Sequence, residues 1–176
     1  FGLPSNKDDI LMIKDSIIDS AIKYNIKFEV IGAFQNHKED FVKRIGLLKN
    51  NTYPDFVDWI KIISNDWHIG LIPQSYNKFS KYKSYIKFLE YAMLGIPIIV
   101  SDSQTYYNIA KNEENCLIVE NKREAWNKAI AKLIESPNLR DKLVREAFKD
   151  VTSNFMNSNI PLNNYFQKIA NYNKTN

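Results

Sequence analysis

The sequence predicts an α/β fold, a Rossmann-like parallel sheet flanked by helices on both faces. Two observations carry this. Short apolar runs rich in β-branched residues alternate with segments of helical period along the chain. Several of those runs, such as Ile98–Val100 and Cys116–Val119, are apolar throughout, as strands covered on both faces require.

The elements follow in order. Asp8 and Asp9 precede Ile10, Ile13, Ile17, Ile18, Ala21 and Ile22, which marks a helix with acids at its positive end, stopped by Asn25. Lys27–Gly32 alternates and is β-branched, so it reads as a strand. A helix is expected around Asp40–Leu48. Asn50-Asn51 is a turn signal, and Pro54 suits the first turn of a short helix to about Ile63. Trp67–Ile72 is the next strand, with His68 a structural residue within it, and Pro73 ends it. Gln74–Lys83 is a polar, tyrosine-rich loop. Ser84 is placed to cap a helix that runs to about Leu94, Gly95 stops it, and Ile98–Val100 is a buried strand. Tyr106–Lys111 reads as a short helix and Cys116–Val119 as a strand. Arg123–Ile134 is helical, with Trp126, Ala129, Ile130 and Leu133 on one face. Pro137 breaks it, and Leu139, Leu143, Ala147, Phe148 and Val151 mark another helix. A terminal helix is expected over 161–173.

With 176 residues the chain suits one well-buried domain, here taken as 1–176. Its 24 basic and 20 acidic residues are interspersed, which argues against bulk binding to nucleic acid but leaves cations for a small anionic ligand. The single Cys116 excludes an intrachain disulfide and a multi-cysteine metal site, and it reads as a core residue. His37 and His68 lack zinc-ligand spacing. No apolar stretch is long enough to span a bilayer, and nothing reads as a signal peptide. Phe1-Gly2 leads straight into a loop and helix, so the expectation is that a first strand, and a domain before it, lie upstream.

In such sheets ligands sit beyond the carboxyl ends of the strands. That edge would gather Gly2–Asp8, Gly32–His37, Pro73–Ser84, Ser101–Tyr107 and the end of Cys116–Val119. The segment Lys83–Asp102 (KSYIKFLEYAMLGIPIIVSD) is the most informative part of it. At about 100° per residue, Ile86, Leu89 and Met93 share the buried side of its helix, Ser84, Lys87 and Tyr91 the opposite side, and Glu90 the border. Residue chemistry alone leaves two readings open. Lys87 and Glu90 form an exposed pair worth about 0.2–0.5 kcal/mol, or they face a ligand at the helix start. A receiver-like signalling domain would need an aspartate where Pro73-Gln74 ends its strand.

Several blocks, in order and spacing, resemble the C-terminal, donor-binding domain of GT-B glycosyltransferases of the retaining group 1, or family 4. They are Trp67–Pro73, the KFLEYAMLGIP block at Lys87–Pro97, Ser101-Asp102, Asn115–Val119, and Trp126 to Arg140. Gly2 and Lys7 match a glycine-to-lysine loop spacing. The sequence departs from the family pattern at Leu3, Tyr85 and Asn108, and at Tyr82, where a glutamate eight positions before Glu90 is frequent.

The resemblance implies a nucleotide-diphosphate sugar donor, a UDP-sugar in preference to a GDP-sugar, with retaining transfer of a hexosyl or N-acetylhexosaminyl group and no metal or other cofactor. It implies that Lys7, Gly2, Lys87 and the amides of Ser84, Tyr85 and Ile86 hold the diphosphate, that Glu90 takes the ribose, and that Tyr82 faces the sugar. Ser101, Asp102 and Tyr106 are candidate base or sugar contacts, with a helix cap the competing role for Asp102. A glycan or lipid-linked acceptor would be held by an N-terminal domain, toward which the terminal helix packs. A cytoplasmic place, or one at the inner face of the cell membrane, and a part in bacterial surface polysaccharide or O-antigen synthesis would follow, with this domain alone inactive. The alternative is a non-catalytic nucleotide-binding module or an inactive relic of a transferase.

Overall fold

The structure, a computed structural model of the chain, describes residues 7–31, 42–46, 52–76 and 82–156. It is an α/β fold with parallel strands and helices on both faces. The expected terminal helix over 161–173 lies outside the described residues.

The first helical segment is split in two, α1 (Lys7–Met12) and α2 (Lys14–Tyr24), by a kink at Ile13. Asn25 closes α2 in the left-handed conformation, as its short polar side chain allows. Then β1 (Phe28–Ile31) pairs in parallel with β2 (Val42–Ile45). The second of these corrects the helix expected around Asp40–Leu48. Register places Glu29 opposite Lys43, whose ammonium donates to the Glu29 carboxylate at 2.7 Å. The β-branched Val42 and Ile45 and a free strand edge at β1 outweigh local helical period, an outcome set by pairing rather than propensity.

Helix α3 (Tyr53–Ile63) starts at a capping box, with the Thr52 hydroxyl and the Asp55 carboxylate each satisfying the other's backbone N–H, and Pro54 lies in its first turn. Strand β3 (Gly70–Ile72) is shorter than the sequence suggests. Trp67 and His68 precede it: the Trp67 N–H closes a 3₁₀ turn onto the Ser64 carbonyl, and His68 is exposed rather than part of a strand. Strands β3, β4 (Ile98–Ser101) and β5 (Leu117–Val119) form a parallel sheet in that order. Between β3 and β4 runs α4 (Ile86–Met93), ended at Gly95, whose φ of 70° suits a glycine. Ser84 is not its cap. Tyr85 stands at that position, and no side chain caps the helix. Nor is α4 amphipathic as expected: Phe88 to Met93 are all buried, Tyr91 included. Gly70 explains how Tyr91 fits, since a Cβ there would meet the tyrosine ring at 3.0 Å.

After β4 the helix expected at Tyr106–Lys111 is instead a 3₁₀ turn at Gln104–Tyr106 followed by a loop. Asn115 organises that loop by accepting from the Lys111 N–H and donating to the Ile109 carbonyl. Two long helices, α5 (Arg123–Glu135) and α6 (Pro137–Val151), complete the described fold.

Alternation along β4 divides the core. Ile98 and Val100 face α4 with Phe88, Met93 and Val57. Ile99 faces α2 and α5 with Ile13, Ile17, Trp126 and Ile130. Cys116 is buried, its thiol pushed up to about 12 by burial, in keeping with a core role. Among the described residues β1 and β3 do not pair. Between them lies a cavity of about 520 Å³, mainly apolar (Ile13, Ile17, Leu71) but lined also by Asp9, Lys87 and Arg140. The Trp67 indole spans one end and donates to Glu29 at 2.6 Å.

Candidate functional site

The carboxyl ends of β3 and β4, the start of α4 and α1, through its buried Asp9, converge on one edge of the sheet. Phe88 and Leu89 N–H groups are taken by the Tyr85 carbonyl, so the amides of Ile86 and Lys87 are those the first turn of α4 leaves without an intrahelical acceptor. These carry the partial positive charge of the helix start.

Three charged side chains stand around that turn. Asp9 of α1 is buried, at 3% exposure, and accepts the Ser75 N–H at 2.8 Å, the Ser75 hydroxyl at 2.7 Å and the Lys83 ammonium at 2.6 Å. Burial works against its charge, but the bonds from Lys83 and Ser75 outweigh it and hold the carboxyl below its usual range. Asp9 therefore ties both ends of the loop between β3 and α4 to α1. Lys87 is the second residue of α4 and lies in that same first turn. Burial pushes its ammonium below the ordinary lysine range, and Asp9 and Glu90 oppose that effect.

Glu90, also at 3% exposure, is the second centre. Its Oε1 accepts the Tyr53 hydroxyl at 2.7 Å, while Oε2 is buried with no hydrogen-bond partner among the described residues. Burial pushes its carboxyl up to about 7, against the lowering influence of the Tyr53 bond and of Lys87. The exposed Lys87–Glu90 surface pair is thereby excluded: the carboxylate is inside, and its near partner is a tyrosine from α3.

The other sequence-derived candidates divide. Ser84, Tyr85 and Ile86 lie at the start of α4, beside Lys87. Tyr82 is near in sequence but 77% exposed. Ser101 is wholly buried and its hydroxyl is committed, accepting the Gln74 N–H at 2.8 Å and donating to Asn121 at 2.7 Å, so it holds the strand ends together rather than facing a ligand. Asn121 completes that lock through the Gln74 carbonyl at 2.8 Å. Tyr106 is buried among the residues packed on α4, and burial raises its phenol further. Asp102 caps no helix. Ser103 holds the position before the 3₁₀ turn, and the Asp102 N–H donates to the Val119 carbonyl at 2.7 Å. Gly2 and the side chain of Lys7 lie outside the described residues, as do Lys78 and Lys81. Lys83 is the ion-pair partner of Asp9.

Sequence reasoning missed Asp9, Ser75 and Tyr53. One signal for Asp9 was present: it stands four residues before Ile13 and eight before Ile17, on the apolar face, whereas Asp8 is exposed. Tyr53 gave none, being 37 residues from Glu90.

The family profile described as glycosyl transferases group 1 matches residues 14–150. Three solved structures show the same fold. Sucrose-phosphate synthase from Thermosynechococcus elongatus aligns over 92% of this chain and 34% of its own, at 15% identity and a TM-score of 0.55. TarM aligns over 92% and 32%, at 15% identity and 0.58. The Anabaena protein HepE, solved in complex with UDP and glucose, aligns over 78% and 33%, at 12% identity and 0.51. The chain thus spans about a third of the length of each. The comparison with curated proteins found no match. Among the described residues no helix is long and apolar enough to cross a membrane.

Proposed function

Because the chain belongs to the glycosyl transferases of group 1, we propose that it binds the nucleotide-diphosphate sugar of a retaining transfer at the edge where α4 begins. The observation that carries this reading is Glu90. A buried carboxyl whose second oxygen has no partner among the described residues is a standing cost of about 1–3 kcal/mol, and a ribose hydroxyl donating to it would remove that cost. In this reading Lys87, Lys83 and the Ile86 and Lys87 amides receive the diphosphate. As the anomeric bond breaks, negative charge grows on the departing phosphate, and these groups are fixed in place before it appears. Lys7 and Gly2 would extend the same anion site. Cations and amides supply the stabilisation that a metal supplies elsewhere, so transfer is metal-independent.

The finer assignments belong to the same proposal: a UDP-sugar before a GDP-sugar, as in the HepE complex with UDP and glucose, a hexosyl or N-acetylhexosaminyl group, and Tyr82 toward the sugar. The acceptor, a glycan or a lipid-linked one, would sit on an N-terminal domain, in surface polysaccharide synthesis at the cytoplasmic face of a membrane. A strand supplied from upstream of α1, parallel to β1 and β3 and lying between them, would join the two sheets into one. The mainly apolar cavity there supports that part of the reading.

Calorimetric titration of the chain with uridine and guanosine diphosphates tests the proposal. Weak binding of one of them, lost in Glu90→Ala and in Lys87→Met, is expected, with no sugar transfer by this domain alone. Binding unchanged in both variants refutes the site. A second reading, a nucleotide-binding module without catalysis, is favoured by one feature: Tyr82, an exposed tyrosine, stands where a carboxylate is frequent in the resemblance. Transfer activity in a chain that includes the N-terminal domain separates the two.

A further inference from the structure

The Tyr53–Glu90 hydrogen bond carries an inference beyond nucleotide binding as such, and it rests on the reading of Glu90 as a ribose ligand. Tyr53 is the first residue of α3, held by the Thr52–Asp55 capping box and stacked on Phe56 with ring centroids 6.1 Å apart. Its ring is 46% exposed, yet its hydroxyl reaches 2.7 Å from Glu90 Oε1 across 37 residues of sequence. A carboxylate is a two-oxygen acceptor that can turn about its last bond. With Oε1 held by a phenol on a rigid helix start, that rotation is stopped, and Oε2 is presented in one orientation.

We propose that Tyr53 is a specificity-determining positioning residue, which fixes the Glu90 carboxyl so that Oε2 receives a ribose hydroxyl and the site selects ribonucleotides over nucleotides lacking that diol. Tyr53 acts through Glu90 and need not touch the sugar. Selection arises because a nucleotide without the hydroxyls leaves a buried acceptor unpaired, which penalises the wrong ligand more than the hydrogen bond favours the right one.

The test uses the 176-residue chain and four probes: uridine diphosphate, guanosine diphosphate and the 2′,3′-dideoxy form of each, titrated by calorimetry. The unsubstituted chain should bind one ribonucleotide about tenfold or more tighter than its dideoxy counterpart. Tyr53→Phe removes one hydroxyl from a half-exposed side chain and leaves Glu90 Oε1 without its donor, so the melting temperature should fall by about 2–4 °C for each kcal/mol lost while the protein stays folded. It should weaken the ribonucleotide by about fivefold while leaving the dideoxy form unaffected, so that the preference collapses. Equal weakening of both forms would mean that Tyr53 only supports the fold, and a preference that survives Tyr53→Phe would likewise overturn the inference. In those two outcomes Glu90→Gln still abolishes the preference, and the ribose role of Glu90 stands. If Glu90→Gln leaves the preference intact, or neither ribonucleotide binds, the site reading fails and takes this inference with it.

Discussion

Glu90→Gln should stabilise the protein at alkaline pH while removing its ligand. Glu90 is 3% exposed, and burial pushes its carboxyl up to about 7, from an ordinary value of 4.5. The folded state therefore keeps a proton that the unfolded chain gives up between those two values. Stability falls as pH rises through that window, and the loss is complete above about pH 7. A difference of about 2.5 units corresponds to roughly 3 kcal/mol. Glutamine is neutral throughout and escapes the loss, although its NH₂ group gains no acceptor and costs about 1 kcal/mol at every pH. The quantity to measure is thus the pH dependence of the difference between the two proteins, in which that constant cost cancels. Urea unfolding followed by tryptophan fluorescence at pH 5, 6, 7 and 8 gives it directly. The variant should gain about 2–3 kcal/mol relative to the unsubstituted chain between pH 5 and pH 8. A difference that stays flat over this range would show that Glu90 is not charged against a buried environment, and the reasoning about its unpaired oxygen would go with it.

Two further outcomes follow from the geometry. Asp9→Asn retains an oxygen for the two Ser75 bonds but leaves Lys83 without its counter-charge, so it should cost about 2 kcal/mol at pH 7. Because the Asp9 pKa is lowered, its contribution is present above the unfolded value and lost as pH falls through the folded one; the two proteins should therefore converge in stability as pH falls below the ordinary aspartate range, read by urea unfolding. Extending the chain upstream of α1 by a six-residue apolar strand should fill the cavity between β1 and β3 and raise the melting temperature by about 2–4 °C for each kcal/mol gained, whereas a polar segment of the same length should not.

What could be read from the sequence was whatever depends on neighbours along the chain. The strand at Ile98, the helices from Arg123 and Pro137, the break at Gly95 and the fold class all follow from period and punctuation, which are local. The misses have a common physical origin in non-local partners. Val42–Ile45 became a strand because β1 offered an edge, and Tyr91 went inside because Gly70, twenty-one residues earlier, left room for its ring. The site shows the same division. Lys87 and Glu90 were named from their block, while Asp9 and Tyr53, which govern their charge and orientation, are set by contacts 74 and 37 residues apart.

The surroundings of Lys87 and Glu90 bear on the site proposed for them. A lysine and a glutamate three residues apart on a helix could neutralise one another as a hydrogen-bonded pair, at little cost. Here they do not: Glu90 bonds to Tyr53, and burial drives both groups toward their neutral forms. An arrangement that weakens two charges at once is a poor way to stabilise a helix, and replacing both with apolar residues would serve the fold better. It is a good way to prepare a site. On the proposed reading, a diphosphate beside Lys87 would favour its charged form and a ribose hydroxyl donating to Oε2 would favour the Glu90 carboxylate, each meeting a partner already fixed in a place from which water is largely excluded. On the same proposal, the stability given up in the empty protein becomes affinity for a ligand that carries both an anionic group and a hydroxyl donor.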